Sequence, residues 1–464
     1  MIDFSNVLLK TKFYNKLETA IKDDMRNIVV DNTSVTHIAF MASLVYQKLN
    51  KNIVIIAPDE VSGSKFVSDI NKILNQEIAV LFKSRDIILR NIETSSLEYE
   101  HQRLNLLYKL LNKNNINIIV ATIESLQQYL MSPDKYKDLV FNFKIGQIIK
   151  IDDLSKKLVS IGFVKRDQVD GVGQFSVRGE IVDIFPPNLE SPVRIDFWDD
   201  EIDNIFLFDL ISQRKIDNKI DSIFISPARE VLLDNIDNII NKLNILKNKV
   251  RDEKVKQNIE QDIEKINNNI IIDNIDKYIS MIFEEKNFII DYLDDPVVFL
   301  ADYDNIVKAS DSVWWHYIEE IKELTEENIL TKEFGSHILS FDLIQDKLKK
   351  HIVIYNNMFD NSRKFLKKFE EDKKTEVINC YQKELSPWVG NLDLLKSDLE
   401  YYIKNKFKVF VLAGSEIFTK NLIKDLDIKN NNIIISSGSL SSGVEYYLDK
   451  IAIITIISSL DSNK

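Results

Sequence analysis

Five histidines, one cysteine and scattered carboxylates are the groups in this 464-residue chain whose types could carry catalysis. His37, His101, His316, His337 and His351 form no H-x-H or H-x-x-x-H pair. No metal-ligand spacing is therefore present, and each reads as a surface or packing residue. Cys380 follows an apolar run, has no base in its local sequence and reads as a small buried hydrophobe. A single cysteine excludes an internal disulfide and a thiolate zinc cage, and it fits a reducing compartment. Asp199-Asp200-Glu201 has the chemistry of a cation site, but the same residues suit a polar turn between two strands. Gly171-Val172-Gly173 has half the pattern of a phosphate loop. It opens a strand with no helix after it, so a hairpin tip is expected. Ser437-Gly438-Ser439 and Ser442-Gly443 read as loops.

Nucleotide chemistry has one candidate position. A phosphate-wrapping loop needs glycines, a lysine for the β/γ charge and a Ser or Thr for magnesium. Strand, loop and helix occur in that order at Val30-Asp31-Asn32-Thr33-Ser34-Val35-Thr36-His37, but the segment holds neither glycine nor lysine. Asp31 would repel phosphate. The segment reads as an ordinary β–α turn with Asn32 or Thr33 capping the helix. No cofactor, metal or catalytic residue is expected.

The informative stretch is Gln174–Pro187 followed by Val193–Asp203. Strand alternation puts Val193, Ile195 and Phe197 on one side and Arg194, Asp196 and Trp198 on the other. In the preceding strand Phe175 and Val177 take the apolar side, which sends Ser176 and Arg178 outward. Two arginines beside a tryptophan on a solvated sheet have the composition of protein-interface anchors. The plainer alternative is a charged sheet exterior with Trp198 covered by a loop. Gly179 is expected to permit close strand packing, and Pro186-Pro187 to end the strand.

The elements that carry these residues divide the chain. Residues 1–130 alternate strand-like runs (Ile28–Val30, Ile53–Ala57, Ile78–Phe82, Ile116–Ala121) with helical patterns such as Ile38–Leu49 and Glu98–Leu111. That rhythm predicts an α/β domain with a largely parallel sheet. Residues 131–230 are richer in glycine and proline and alternate in short runs, which predicts an α+β antiparallel-sheet domain with a helix at Leu154–Ile161. Residues 231–345 turn helical, with a charged, solvated and hinged helical pair expected at Val250–Asn267 and a buried strand at Pro296–Ala301. From 346 to 464 the α/β rhythm returns through Ile352–Tyr355, Val377–Asn379, Val409–Leu412, Ile433–Ser436 and Ile451–Ile457, read as a second small α/β domain. The fold class is thus α/β multidomain. Glycine is scarce at 11 residues, and the formal charge is −12, opposite to that of a protein whose main task is gripping phosphate backbone. The start, MIDFSNVLLK, has no targeting pattern, and Ile451–Leu460 is too short to span a bilayer. A cytoplasmic protein without membrane contact is expected.

The run QVDGVGQFSVRGEIVDIFPP, continued by PVRIDFWDDEIDNIFLFDLISQRK, resembles the signature of bacterial transcription-repair coupling factors, shared in outline with the excision-repair subunit UvrB. Looser similarity covers nearly the whole chain. The resemblance implies an N-terminal UvrB-homology module. Its parts are a degenerate P-loop-type domain, an inserted domain that binds UvrA, a helix-rich part and a small α/β domain. It implies a non-catalytic recruitment role in nucleotide excision repair, with the ATP-dependent motor beyond residue 464. RNA polymerase and DNA would be contacted only through regions absent here. The residues matching the family's UvrA contact are Arg178, Arg194 and Trp198 (the family usually has Phe), with Lys165 at a further basic position. The same face is masked against the motor domains in the full-length family. Two rival readings are a nucleotide-dependent, UvrB-like DNA-remodelling enzyme and a purely intramolecular clamp.

Overall fold

Runs such as NIVVD, IVIIA and IIVAT are apolar and β-branched without alternation, the pattern of strands buried on both faces. The computed structural model describes residues 5–90, 96–112, 117–233, 235–268, 270, 272–357, 367, 374–389, 392–414, 416–426, 432–436 and 438–456. Ile116, Ser437 and residues 457–460, named above, lie outside them. Strands β1 (Asn27–Asp31), β2 (Ile53–Ala57), β3 (Ala79–Phe82) and β4 (Ile118–Thr122) form where expected. Helices α1 (Val35–Leu49), α2 (Glu60–Leu74) and α3 (Glu98–Leu111) connect them.

Next come β5 (Phe141–Lys144), helix α4 (Ile151–Ser160), β6 (Val164–Lys165), β7 (Gln174–Arg178), β8 (Ile181–Phe185), β9 (Val193–Trp198), β10 (Glu201–Phe208), β11 (Lys215–Lys219) and β12 (Ser222–Ile225). Six of these strands make one sheet in the order β11-β10-β9-β8-β7-β6, and β5 pairs with β12. The Asp199-Asp200 turn joins β9 to β10, with Asp199 at φ 57°. Two sequence expectations change here. β6 runs parallel to β7, so Gly171–Gly173 lies in a crossover loop and not at a hairpin tip. Gly179 has φ +60° and open space where a Cβ would stand. It serves the two-residue β7–β8 turn, which needs a left-handed residue at its first position, and not close packing.

Helices α5 (Ile236–Lys249) and α6 (Glu253–Asn267) follow. The charged segment is one continuous helix that buries Val255, Ile259 and Ile266, because its apolar residues recur on a single face. β13 (Val297–Leu300) and helix α7 (Tyr303–Glu326) lead to β14 (Ile352–Asn357) and β15 (Thr375–Asn379). Strand pairing redraws the expected boundary at 346. The first sheet has seven strands in the order β15-β1-β14-β13-β2-β4-β3, all parallel. β13 to β15 thus complete the first domain. Local periodicity marks a strand but not its neighbours, which is why the return of α/β rhythm read as a new domain. The C-terminal sheet is β16 (Gln382–Leu385), β17 (Lys408–Leu412), β18 (Ile433–Ser436), β19 (Gly443–Tyr446) and β20 (Ile451–Thr455), ordered β16-β19-β20-β17-β18.

A buried ionic hub ties three segments together. Arg85 grips Asp276 with two hydrogen bonds of 2.8 and 2.9 Å and reaches Glu230 at 3.2 Å, while Arg103 on α3 meets the same Glu230 at 2.5 Å. Glu230 closes the inserted domain, and Asp276 belongs to the helical part. Their correct docking is therefore needed to compensate four buried charges. Among the described residues no helix is long and apolar enough to cross a membrane.

Candidate functional site

The register builds the outer face of the six-stranded sheet. Ser176, Asp183, Arg194 and Phe206 stand opposite one another across β7, β8, β9 and β10, and Arg178, Ile181 and Asp196 form the next row. Cross-strand partners share a face, so both arginines and Trp198 project to the same side, as alternation predicts. Trp198 is 76% exposed. No loop covers it.

Asp183, which the sequence reading passed over, organises this face. Its side chain is fully buried and lies between the two arginines. Arg194 donates to it from Nε at 2.6 Å and from Nη2 at 2.9 Å, and Arg178 donates from Nη2 at 2.6 Å. The Arg194 guanidinium also lies over the Phe208 ring at 4.6 Å, and its side chain is only 16% exposed. Hydrogen bonding to Asp183 pushes the Arg194 pKa up, so its charge is permanent. Asp196 is held above the usual carboxylate range by desolvation, with the Asp183 charge adding to the effect. Two carboxylates thus match two guanidiniums on the face. Arg194 spends its fork inside the molecule, whereas half-exposed Arg178 and the more exposed Trp198 face solvent. The available signal was a lone acidic residue at the centre of the apolar strand IVDIF, on the outward phase between two arginine-bearing strands.

Lys165 does not join this group. The register sets it opposite Phe175, whose ring faces the core side, and it lines a groove there with Phe175 and Val231. A parallel edge strand of two residues gave no alternation from which to read its side.

The β1–α1 turn is the second place of interest. Ser34 caps α1 by accepting from the His37 N–H at 3.3 Å, so neither Asn32 nor Thr33 is the cap. Asn32 takes a left-handed φ of 60° and donates to the carbonyls of Cys380 and Gln382 at 3.1 and 2.9 Å. The Thr36 hydroxyl lies 2.7 Å from that of Ser442 and 3.3 Å from the Asp69 carboxylate. Ser441 donates to Asp69 through its backbone N–H at 2.9 Å. His37 sits between the Tyr446 hydroxyl, 2.6 Å from Nδ1, and the Cys380 sulfur, 3.1 Å from Nε2. Cys380 therefore has a base beside it, contrary to the local sequence, because His37 arrives from 343 positions away. The pair is not activated. Burial pushes His37 down to about 3 and pushes the thiol up, so both are neutral at pH 7. Side chains from the C-terminal sheet and its loops thus fill the space before α1. Among the described residues no cluster of His, Cys, Asp or Glu could hold a metal ion.

With this geometry in hand, comparison with known proteins is decisive for one region. Residues 141–231 match the UvrB interaction domain. That stretch contains every strand of the six-stranded sheet and both arginines of the Asp183 clamp. Over 89% of its length the chain is 26% identical to the transcription-repair-coupling factor of Bacillus subtilis, of which it covers 36%. The namesake proteins of Staphylococcus haemolyticus and Staphylococcus aureus strain RF122 are 24% and 22% identical over 93% and 92% of the chain. The chain spans little more than a third of the length of these relatives. Similarity to transcription-repair coupling factors therefore extends well past the UvrB interaction domain, along about nine-tenths of the chain.

Proposed function

We propose that this chain is a non-catalytic recruitment module that brings the damage-recognition protein UvrA to stalled transcription. One observation carries the reading: the UvrB interaction domain coincides with the sheet whose outer face presents Trp198 beside a buried, pre-set arginine clamp. In this reading Trp198 inserts into an apolar pocket of UvrA, Arg178 meets an acidic group on its rim, and Asp183 holds both arginines in place. Rigid aromatic anchors flanked by arginine dominate binding energy at such surfaces. The β1–α1 turn supports the absence of an ATPase in this part, because its helix end is capped by Ser34 and covered by Ser442, Gln382 and Tyr446.

Titrating purified UvrA against the whole chain tests the proposal. Trp198→Ala should weaken binding by about 1–4 kcal/mol without lowering thermal stability, since the ring is exposed. Lys165→Ala, on the opposite side of the sheet, should leave affinity unchanged. Equal affinities for wild type and Trp198→Ala would remove the assignment. In parallel, equilibrium dialysis should find no ATP retained by the chain.

A further inference from the structure

A short extended piece before α4, residues 146–149, adds itself to the start of β10. Ile149 donates its backbone N–H to the Asp200 carbonyl at 2.8 Å, and Ile202 donates to the Gln147 carbonyl at 3.0 Å. Gly146 donates to the Ile202 carbonyl at 2.8 Å. Ile148 thereby stands opposite Glu201 in an antiparallel bridge. On the other side of β10, Glu201 stands opposite Trp198. Cross-strand partners share a face, so Ile148, Glu201 and Trp198 form one row. Exposure agrees with the register. Ile148 is 78% exposed and Trp198 76%, whereas Ile149, whose side chain takes the opposite side, packs against the core.

Neighbouring strands lie about 4.8 Å apart, so two spacings put Ile148 about 10 Å from Trp198. Arg178 is two strands off in the opposite direction, in the adjacent row with Ile181 and Asp196. The outer face therefore runs from Arg178 through Trp198 to Ile148, four spacings or about 19 Å across. All three residues lie inside the stretch that matches the UvrB interaction domain.

An exposed isoleucine alone asks for no explanation, because β-branched residues suit paired extended backbone and single apolar side chains are common on surfaces. Ile148 is not alone. It continues the row of the exposed indole, with Glu201 keeping the two as separate apolar spots. It is also set in advance. β-branching stiffens its side chain, and the three backbone hydrogen bonds fix the segment that carries it. Little conformational freedom is left to lose when a partner covers it.

We infer that Ile148 is a second apolar contact of the docking face, covered by UvrA together with Trp198. The inference rests on the UvrA reading above and widens that face by one strand beyond β10. The surface of UvrA must then carry two apolar hollows about 10 Å apart.

The UvrA titration with the whole chain tests it. Ile148→Ala removes three carbons from the contact and should weaken binding by about tenfold. Val61→Ala, on α2 and 68% exposed, should bind as wild type does. Both positions are exposed, so neither variant should melt differently. A footprint reads the contact directly. Cys380 is buried, so Ile148→Cys supplies a solvent-facing thiol. At saturating UvrA its alkylation by iodoacetamide, followed by mass spectrometry, should slow several-fold, and that of Val61→Cys should not change. Unaltered affinity of Ile148→Ala beside weakened binding of Trp198→Ala would overturn this inference and leave the UvrA reading standing. So would an alkylation rate at position 148 that UvrA does not change, or an equal loss in Val61→Ala. Equal affinities of wild type and Trp198→Ala would instead remove the docking face itself, and Ile148 with it.

Discussion

Asp183→Asn separates positioning from contact at the sheet face. The carboxylate receives three charge-assisted hydrogen bonds from two arginines. Hydrogen bonds to charged groups contribute roughly 1.5–3 kcal/mol each, but these three share one acceptor group and do not add independently. Asparagine keeps the volume and one acceptor oxygen, loses the charge, and turns an N–H₂ toward a guanidinium. Breaking a buried pair on one side costs about 3–5 kcal/mol. Because Arg194 retains 16% exposure and its contact with Phe208, the lower end, about 3 kcal/mol, is expected. Read as hydrogen exchange of the β8 and β9 amides, that is about a 100-fold loss of protection. Arg178→Ala removes a half-exposed partner and should cost less than about 1 kcal/mol. In the UvrA titration Asp183→Asn should weaken binding although the buried carboxylate touches no partner. Protection within threefold of wild type, together with unaltered affinity, would refute the idea that Asp183 sets the arginines.

Glu230→Ala should destabilise the junction between the inserted and helical parts by about 3–5 kcal/mol, because it strands Arg103 without its carboxylate. Loss of amide protection around Arg85 and Asp276, with the outer strands of the inserted sheet unaffected, is the expected exchange pattern. Acid should act through the same hub. Burial alone would raise the Asp276 carboxyl, but Arg85 holds it below the usual range. A depressed folded value stabilises above the unfolded pKa of about 4 and is lost as pH falls through the folded one. Thermal unfolding followed by calorimetry should therefore show no hub contribution to pH dependence between pH 7 and 5 and a loss beginning below about pH 4. A loss that Asp276→Asn abolishes between pH 7 and 5 would contradict the assignment.

Much of this architecture is legible in the amino-acid order. Unbroken β-branched runs announced the buried parallel strands, and the alternation of VRIDFW announced which side Arg194 and Trp198 would take. What escaped depends on partners far away in the chain. Asp183 reads as an intruder in an apolar strand until β7 and β9 are laid beside it. Ile352–Asn357 has the same texture whether it joins the first sheet or the last, because texture records burial and not neighbours. Lys165 needed a register that only the paired strand supplies. His37 and Cys380 acquired each other only through the parallel pairing of β15 with β1, which sets the residue after β15 beside the start of α1.

The interleaved order of the seven-stranded sheet bears on how the protein is made. Asn27 pairs with Val353 on one side and Thr375 on the other. At ribosomal rates of about 5–20 residues per second, β1 waits on the order of 15 to 60 seconds for either neighbour. The inserted six-stranded sheet, whose strands are contiguous in the chain, can close long before that. Biogenesis is thus expected to run inside out, with the inserted sheet closed first and the seven-stranded sheet left open until residues near 380 emerge. During that interval the edge of β1, apolar at Ile28, Val29 and Val30, is unpaired, and the nascent chain is a natural client for a chaperone.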